Sequence, residues 1–198
     1  REQTERALDN MRDALEANPD WWATRERLIA TLNQTGRAEE AIAVANEALE
    51  ALPETPKYRR ARSRALLDRS RALQSAGRFE EAFQSLQQAV EIHPRDAVIR
   101  ENLAAAYAQY KRDPDSAIRE LLTAIQLQRS SAARYERLAS LLISADRTDE
   151  ALDAFSEALK RVEDKASFAQ RIEQNLIRSN LTDLAEQWRD RQAEWLGD

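Results

Sequence analysis

Apolar residues along this chain fall three and four apart, in blocks that recur at a nearly fixed distance. A small residue marks each block: alanine stands at Ala7, Ala41, Ala82, Ala117, Ala151 and Ala185, at spacings of 34, 41, 35, 34 and 34 residues. In five of these six units a second alanine follows seven residues later, at Ala14, Ala48, Ala89, Ala124 and Ala158. Seven residues make about two helical turns, so both small residues share one face and let a neighbouring helix approach closely. The segments GRAEEAIAVANEAL from Gly36, GRFEEAFQSLQQAV from Gly77, DPDSAIRELLTAI from Asp113 and DRTDEALDAFSEAL from Asp146 therefore predict one helix per unit. In the last of them Ala151, Leu152, Phe155, Ala158 and Leu159 form one stripe, while Asp153, Glu157 and Lys160 are left for water.

Before each such helix lies another, carrying Leu28 and Leu32, then Leu73, then Leu103 and Tyr107, then Tyr135, Leu138 and Leu142, and finally Ile172 and Leu176. Gly36 and Gly77 suit the left-handed residue that ends a helix, with Asp146 and Asn180 as tolerable substitutes at the equivalent places. Asp113 followed by Pro114 reads as an N-cap with proline at the first helical position. Pro19, Pro53 and Pro94 close the second helices, each twelve residues after its alanine. Units this short cannot bury a core alone, so the pattern predicts an all-α stack of helix-turn-helix repeats with eleven helices.

The expected organisation is one domain over residues 1–198. An unpaired helix over 1–17 precedes repeats over 20–53, 55–94, 96–129 and 131–163, and a degenerate capping pair covers 165–198. Leu181, Leu184, Trp188 and Trp195 are expected to cover the last repeat while Glu186, Arg189 and Gln192 face outward, since solenoid ends need a polar outer surface. At the other end, Ala7, Leu8, Met11, Ala14 and Leu15 form the face that elsewhere packs on its own first helix, and no such helix precedes them. The expectation is a fragment of a longer protein, with an upstream helix or self-association through the N-terminal helix covering that face.

Composition narrows the functional classes. Of 198 residues 42% are apolar and 33% charged, and 30 basic against 35 acidic side chains leave a net charge of −5, which gives no global pull toward nucleic acid or anionic membrane. With no cysteine and a single histidine, His93, neither disulfides nor a transition-metal site can be built. His93, before Pro94 at a helix end, is expected to cap carbonyls or face water. Carboxylates sit beside arginines on helix surfaces, as in Arg37, Glu39 and Glu40 or Arg78, Glu80 and Glu81, and nothing groups them as acid–base catalysis requires. No glycine-rich phosphate loop occurs, no apolar run approaches membrane-spanning length, and no cofactor is called for. The reading is a non-enzyme without membrane insertion, soluble in the cytoplasm or periplasm.

Period, helix-turn-helix unit and residue types together resemble the tetratricopeptide repeat family over nearly the whole chain. The best repeat places Tyr135, Leu138, Ala139, Leu142, Ala151, Phe155 and Ala158 at the family's large and small positions in order. Arg25 and Arg100 stand where the family has a large aromatic, Arg69 replaces a core leucine, and Arg129 and Glu163 replace the closing proline. The resemblance implies a right-handed superhelix whose first helices line a groove that holds a peptide or helix of a partner protein. It further implies an interaction scaffold within a larger protein or assembly. Arginine exceeds lysine 26 to 4, which fits a GC-rich bacterial source, and bacterial relatives organise envelope, secretion or regulatory assemblies.

On that frame the groove residues are Arg64, Leu67, Arg71, Gln74, Asn102, Gln109, Arg137 and Ser140. Some family members grip chaperone C-terminal carboxylates through five positions that here read Leu67, Arg71, Asn102, Ala133 and Arg137, of which only Asn102 and Arg137 match. A standard clamp is not expected, although Arg64, Arg71, Asn102 and Arg137 offer a basic strip to an acidic segment.

The 41-residue spacing is the main irregularity. Seven extra residues preserve a helix's facing to within about 20°, which favours an elongated helix beginning at Thr55 and Pro56 over a looped insertion. The added sequence KYRRARSR, from Lys57 to Arg64, puts cations where the helix dipole prefers anions. Either Glu47, Glu50 and Glu54 pair with them, or Lys57, Arg59, Arg60 and Arg62 form a basic projection that meets an acidic partner. Arg60, Arg64 and Arg71 lie within about 40° of one another on a helical wheel. A nucleic-acid-binding solenoid using residues 57–71 is the alternative function, opposed by the net acidity. Trp21 and Trp22 are expected to pack the start of their helix, with a groove anchor as the other reading. Arg69 is expected to be an interior arginine with an acid partner.

Overall fold

A computed structural model describes residues 2–18, 21–128 and 131–196, and the side chains through residue 193. Pro19, Asp20, Arg129 and the Trp195 side chain lie outside the described residues. Eleven α-helices are present among those described: α1 (Glu2–Ala17), α2 (Trp22–Gln34), α3 (Ala38–Ala51), α4 (Arg59–Ser75), α5 (Phe79–Ile92), α6 (Ala97–Ala106), α7 (Pro114–Leu127), α8 (Ala132–Ser144), α9 (Thr148–Leu159), α10 (Lys165–Arg178) and α11 (Thr182–Leu196). A 3-10 turn, Pro56–Tyr58, leads into α4, and a π-helical segment, Tyr107–Lys111, follows α6. Contacts divide the chain into two compact units, Arg1–Ala106 and Tyr107–Asp198.

The alanine columns lie in the helix-packed interior. Ala41, Ala82, Ala117 and Ala151 are fully buried, as are Ala89, Ala124 and Ala158. Of the five turns that join the two helices of a pair, four share one hydrogen-bond pattern. Residue 36, 77, 146 or 180 takes a left-handed backbone, with φ of 75°, 75°, 56° and 60°. The next amide then reaches back five residues: Arg37 to the Leu32 carbonyl at 2.9 Å, Arg78 to Leu73 at 2.8 Å, Arg147 to Leu142 at 2.9 Å and Leu181 to Leu176 at 2.9 Å. This is the Schellman closure, which satisfies the carbonyls that a helix end leaves open. Glycine takes the left-handed conformation freely, and Asp146 and Asn180 take it at a modest cost.

The fifth turn differs, and the sequence spacing shows why. Between Ala82 and Ala117 there are 35 residues rather than 34, and the surplus lies between Tyr107 and Arg112, where the helix widens into the π segment. A π turn absorbs one extra residue without unwinding the helix. The closing bond therefore spans six residues, from the Asp113 amide to the Tyr107 carbonyl at 3.1 Å. Arg112 takes the left-handed position at φ 51°, a site at which the sequence gives no glycine, asparagine or aspartate. Asp113 then caps α7, accepting from the Ser116 hydroxyl at 2.5 Å and from the Ser116 amide at 3.0 Å, and those bonds hold its carboxyl below the ordinary aspartate range.

The seven added residues before Ala82 are helical, as expected. Three form the 3-10 turn, and α4 has 17 residues against 13 in α2 and α8. In the first unit α4 lies against α2, α3 and α5, which buries eight of its residues, including Leu66, Leu67 and Asp68.

The apolar stripe of α1 is largely covered. Leu8 is fully buried, and Met11 and Leu15 pack with Leu28, Ile29 and Leu32 of α2, which leaves Ala7 exposed and Ala14 half-exposed. In the second unit Trp188 of α11 is fully buried. Its indole Nε1 donates to the Ala169 carbonyl at 3.0 Å, and its ring centroid lies 5.7 Å from that of Phe155. Leu184 and Trp188 are buried, Glu186 and Arg189 are exposed, and Gln192, expected to face outward, is half-buried.

Candidate functional site

The N-terminal halves of α2 and α4 converge in the first unit on two cavities that share Trp22, Glu26, Ala61 and Arg64. The smaller, about 40 Å³, is walled by Ile29, Ala48, Leu52, Ala61 and Ala65, with Trp22, Arg25, Glu26, Arg64 and Asp68 completing it. The larger, about 580 Å³, is lined by Lys57, Tyr58, Arg60, Ser63 and Asp96 besides the shared residues. The α4 extension supplies Lys57, Tyr58, Arg60 and Ala61 to the larger lining but only Ala61 to the smaller, so the irregular spacing builds the larger cavity.

Charge is distributed unevenly over this face. Arg64 Nε lies 2.8 Å from Glu26 Oε1 and 3.8 Å from Asp68 Oδ2, and Arg71 Nη1 lies 3.1 Å from Asp68 Oδ1. Asp68 is buried, at 3% exposure. Burial pushes its carboxyl above the ordinary aspartate value, and Arg64 and Arg71 oppose that shift without cancelling it. Asp96 is occupied at the start of α6, where Oδ1 accepts from the Val98 and Ile99 amides at 2.9 and 3.1 Å. His93 Nδ1 stands 3.5 Å from the other oxygen of that carboxylate.

The basic run separates into two roles. Arg62 turns inward and caps α3, donating to the Leu49 and Leu52 carbonyls at 3.0 and 2.6 Å and to Glu54 Oε1 at 2.6 Å. It is therefore a structural cap and not part of a projection, because the end of α3 leaves carbonyls within reach. Lys57, Arg59 and Arg60 are exposed, with no ion-pair partner among the described residues. Lys57 lies over the Tyr58 ring at 5.1 Å. Arg59 faces a separate cavity with Arg62, Glu54 and Glu91.

Other expected groove residues fall as follows. Leu67, at 1% exposure, belongs to the core and not to a groove surface, since α4 is packed on three sides. Gln74 is half-buried, and Asn102 donates to the Val98 carbonyl of its own helix at 2.7 Å. In the second unit Gln109 lies exposed on the π segment and Arg137 is exposed on α8. Ser140 lines a cavity of about 320 Å³ between α8 and α10, floored by Ile143, Phe155, Ile172 and Leu176. Glu136 at its rim pairs with Arg171 at 2.9 Å.

Aromatic and interior arginine positions divide likewise. Trp21 is 52% exposed, against the packing expectation, while Trp22 covers the buried Arg25 guanidinium at 5.4 Å. Burial pulls Arg69 below the ordinary arginine value, and Glu81 is the acid that opposes the shift. Residues missed by the sequence reading are Asp68 and the buried Arg134, which donates to the Gln128 carbonyl at 3.2 Å. Among the described residues no group of three or more His, Asp or Glu side chains is placed to hold a metal, and no helix is long and apolar enough to cross a membrane.

Repeated helix pairs with small-residue columns, Schellman turns and a capping end define a helical-repeat protein. Sequence models described as tetratricopeptide repeat match residues 23–95 and 73–142, together more than half of the chain. The chain belongs to the tetratricopeptide repeat family. It is 31% identical over 110 residues to the small glutamine-rich tetratricopeptide repeat-containing protein 2 of Mycosarcoma maydis, a match covering 56% of this chain and 29% of that protein. The chain thus spans less than a third of that relative. Among solved structures, BtubC from P. vanneervenii is similar at a TM-score of 0.72 and 19% identity, covering 97% of this chain and 87% of that one. Pseudomonas aeruginosa pilF is similar at 0.70 and 20%, covering 98% and 85%. At these identities the likeness concerns the fold.

Proposed function

We propose that this chain is a non-catalytic protein–protein interaction scaffold that holds a segment of a partner protein on the faces of its first helices, as one part of a larger protein or assembly. The observation that carries this reading is the open face between α2 and α4, where a cavity of about 580 Å³ is bordered by the exposed cations Lys57 and Arg60. Repeat arrays use such surfaces for binding, and many of the charged groups elsewhere on the chain are engaged in helix caps and ion pairs. Arg37, Arg78 and Arg147, for example, each chelate the glutamate three residues on. Affinity capture comparing the wild type with a variant carrying Arg64→Ala, Arg71→Ala and Arg137→Ala tests the reading. A partner retained by the wild type and lost from the folded variant supports it, and identical capture refutes it.

The same exposed cations favour a second reading, a nucleic-acid-binding solenoid. Against it stand the net charge of −5 and the carboxylates of Glu26 and Asp96 on the same face. A salt titration with single-stranded and duplex oligonucleotides separates the two, because phosphate binding weakens steeply with salt.

A further inference from the structure

We infer that the α2–α4 face of the first unit takes an acidic segment of a partner protein that also carries an aliphatic side chain, and that Glu26 is an internal competitor for that segment. The inference rests on the scaffold reading and names the chemistry of its ligand. The two cavities adjoin, sharing Trp22, Glu26, Ala61 and Arg64 in their linings, so one short peptide laid across these residues borders both. The smaller cavity has apolar walls and about 40 Å³ of space. That volume is close to one water's share of the liquid, about 30 Å³, which admits the end of a leucine, valine or methionine and excludes an aromatic ring.

The larger cavity selects charge. Four charged groups on this face already balance: Arg64 and Arg71 against Glu26 and Asp68, at the distances given above. Asp96 is committed to the α6 N-terminus. Arg25, in the lining of the smaller cavity, is buried beneath Trp22. The exposed remainder is Lys57 and Arg60, within the first turns of the α4 extension, where the helix dipole adds to their positive potential. A carboxylate of the ligand relieves that repulsion. A continuous phosphate backbone fits the face less well, because it would run beside Glu26 and Asp96 and leave the apolar cavity empty.

Glu26 occupies the place that a second ligand carboxylate would take. It is about half exposed and holds Arg64 at 2.8 Å, so an incoming acid must displace it before Arg64 becomes available. An exposed ion pair contributes about 0.2–1 kcal/mol, so Glu26→Gln tightens acidic ligands by about 1.4- to fivefold. The ordinary expectation for removing a polar residue from a binding face is weaker binding.

The test uses the whole chain and fluorescence anisotropy with three labelled short peptides. One has a leucine flanked by aspartates and glutamates, one has that leucine replaced by serine, and one has the acids replaced by asparagine and glutamine. The expected order is clear binding of the first and weak binding of the other two. Glu26→Gln tightens the first peptide by the factor above, Arg60→Ala weakens it by a similar factor, and Ala61→Leu, which fills the small cavity, removes the advantage of leucine over serine. Circular dichroism confirms that each variant is folded. Equal binding of all three peptides, no binding at millimolar protein, displacement of the peptide by a lower concentration of duplex oligonucleotide, or weakening by Glu26→Gln overturns the inference. If the peptides fail while a partner protein still depends on Arg64, Arg71 and Arg137 for capture, the ligand chemistry is wrong and the scaffold reading stands. If that dependence is absent, the scaffold reading itself fails.

Discussion

Deleting Gln109 should be tolerated, although a one-residue deletion inside a helix ordinarily disrupts packing. Upstream of Tyr107 and downstream of Arg112 the chain is in register with the repeat that follows, and the surplus residue lies between them in the π segment. Removal of the exposed Gln109 restores a 34-residue spacing and lets the turn close by the five-residue bond seen at the other four turns. One fewer ordered residue saves about 1–2 kcal/mol of conformational entropy. Tyr110 then falls at the position of the exposed Ser144 and loses part of its burial, a cost of about 1 kcal/mol. The net change is within about 1 kcal/mol of zero. Deletion of the exposed Ser140 is the control, because no π turn exists in α8 to absorb it. The following residues rotate by about 100°, swinging Leu142, 3% exposed, off the core at about 2–5 kcal/mol. Urea unfolding followed by far-ultraviolet circular dichroism measures both. Equal losses for the two deletions would refute the account of the π segment.

Three further outcomes follow from the same geometry. Arg112→Gly should stabilise by about 0.5–1 kcal/mol, since φ is 51° there and glycine bears no left-handed penalty; a lower thermal midpoint would contradict this. Ala158→Leu should destabilise by about 1–3 kcal/mol, because the site is fully buried between helices, and an unchanged urea midpoint would contradict the close packing. Asp68 binds its proton more tightly when folded, so its ionisation opposes folding: that contribution is favourable in acid and lost as pH rises through the folded value. Glu40, Glu81 and Glu150, held below their ordinary values by arginines, act in the opposite sense, giving stability lost as pH falls. Relative to Asp68→Asn, the wild type should therefore gain stability between pH 7 and pH 4; thermal melts showing a relative loss would contradict the burial argument.

The sequence announced the fold through residues whose roles are local. An alanine at helix spacing and a glycine after a helix carry their geometry with them, so the columns, the turns at Gly36 and Gly77 and the extended α4 were legible. The π turn left a trace in the 35-residue spacing, but a single surplus residue does not say whether a loop or a helix absorbs it. Side-chain direction was harder to read. Arg62 and Arg60 lie two residues apart in one basic run, yet one meets the carbonyls of α3 and the other faces an open cavity. Asp68, beside Arg69 in sequence, carried no local sign of burial, because the burial comes from α2, α3 and α5 packing around α4. Leu67 resembled a lining residue for the same reason. Trp21 shows the converse: a large aromatic beside the half-buried Trp22 lies open to solvent.

The measurement closest to the central claim is site-specific photo-crosslinking in cells of the source organism. A photoreactive side chain replaces Arg60, at the mouth of the α2–α4 cavity, or Gln87, exposed on α5. The account predicts one discrete protein adduct from position 60, competed by the leucine-containing acidic peptide, and none from position 87. Adducts from position 87 alone, or an adduct with nucleic acid at position 60, would contradict it.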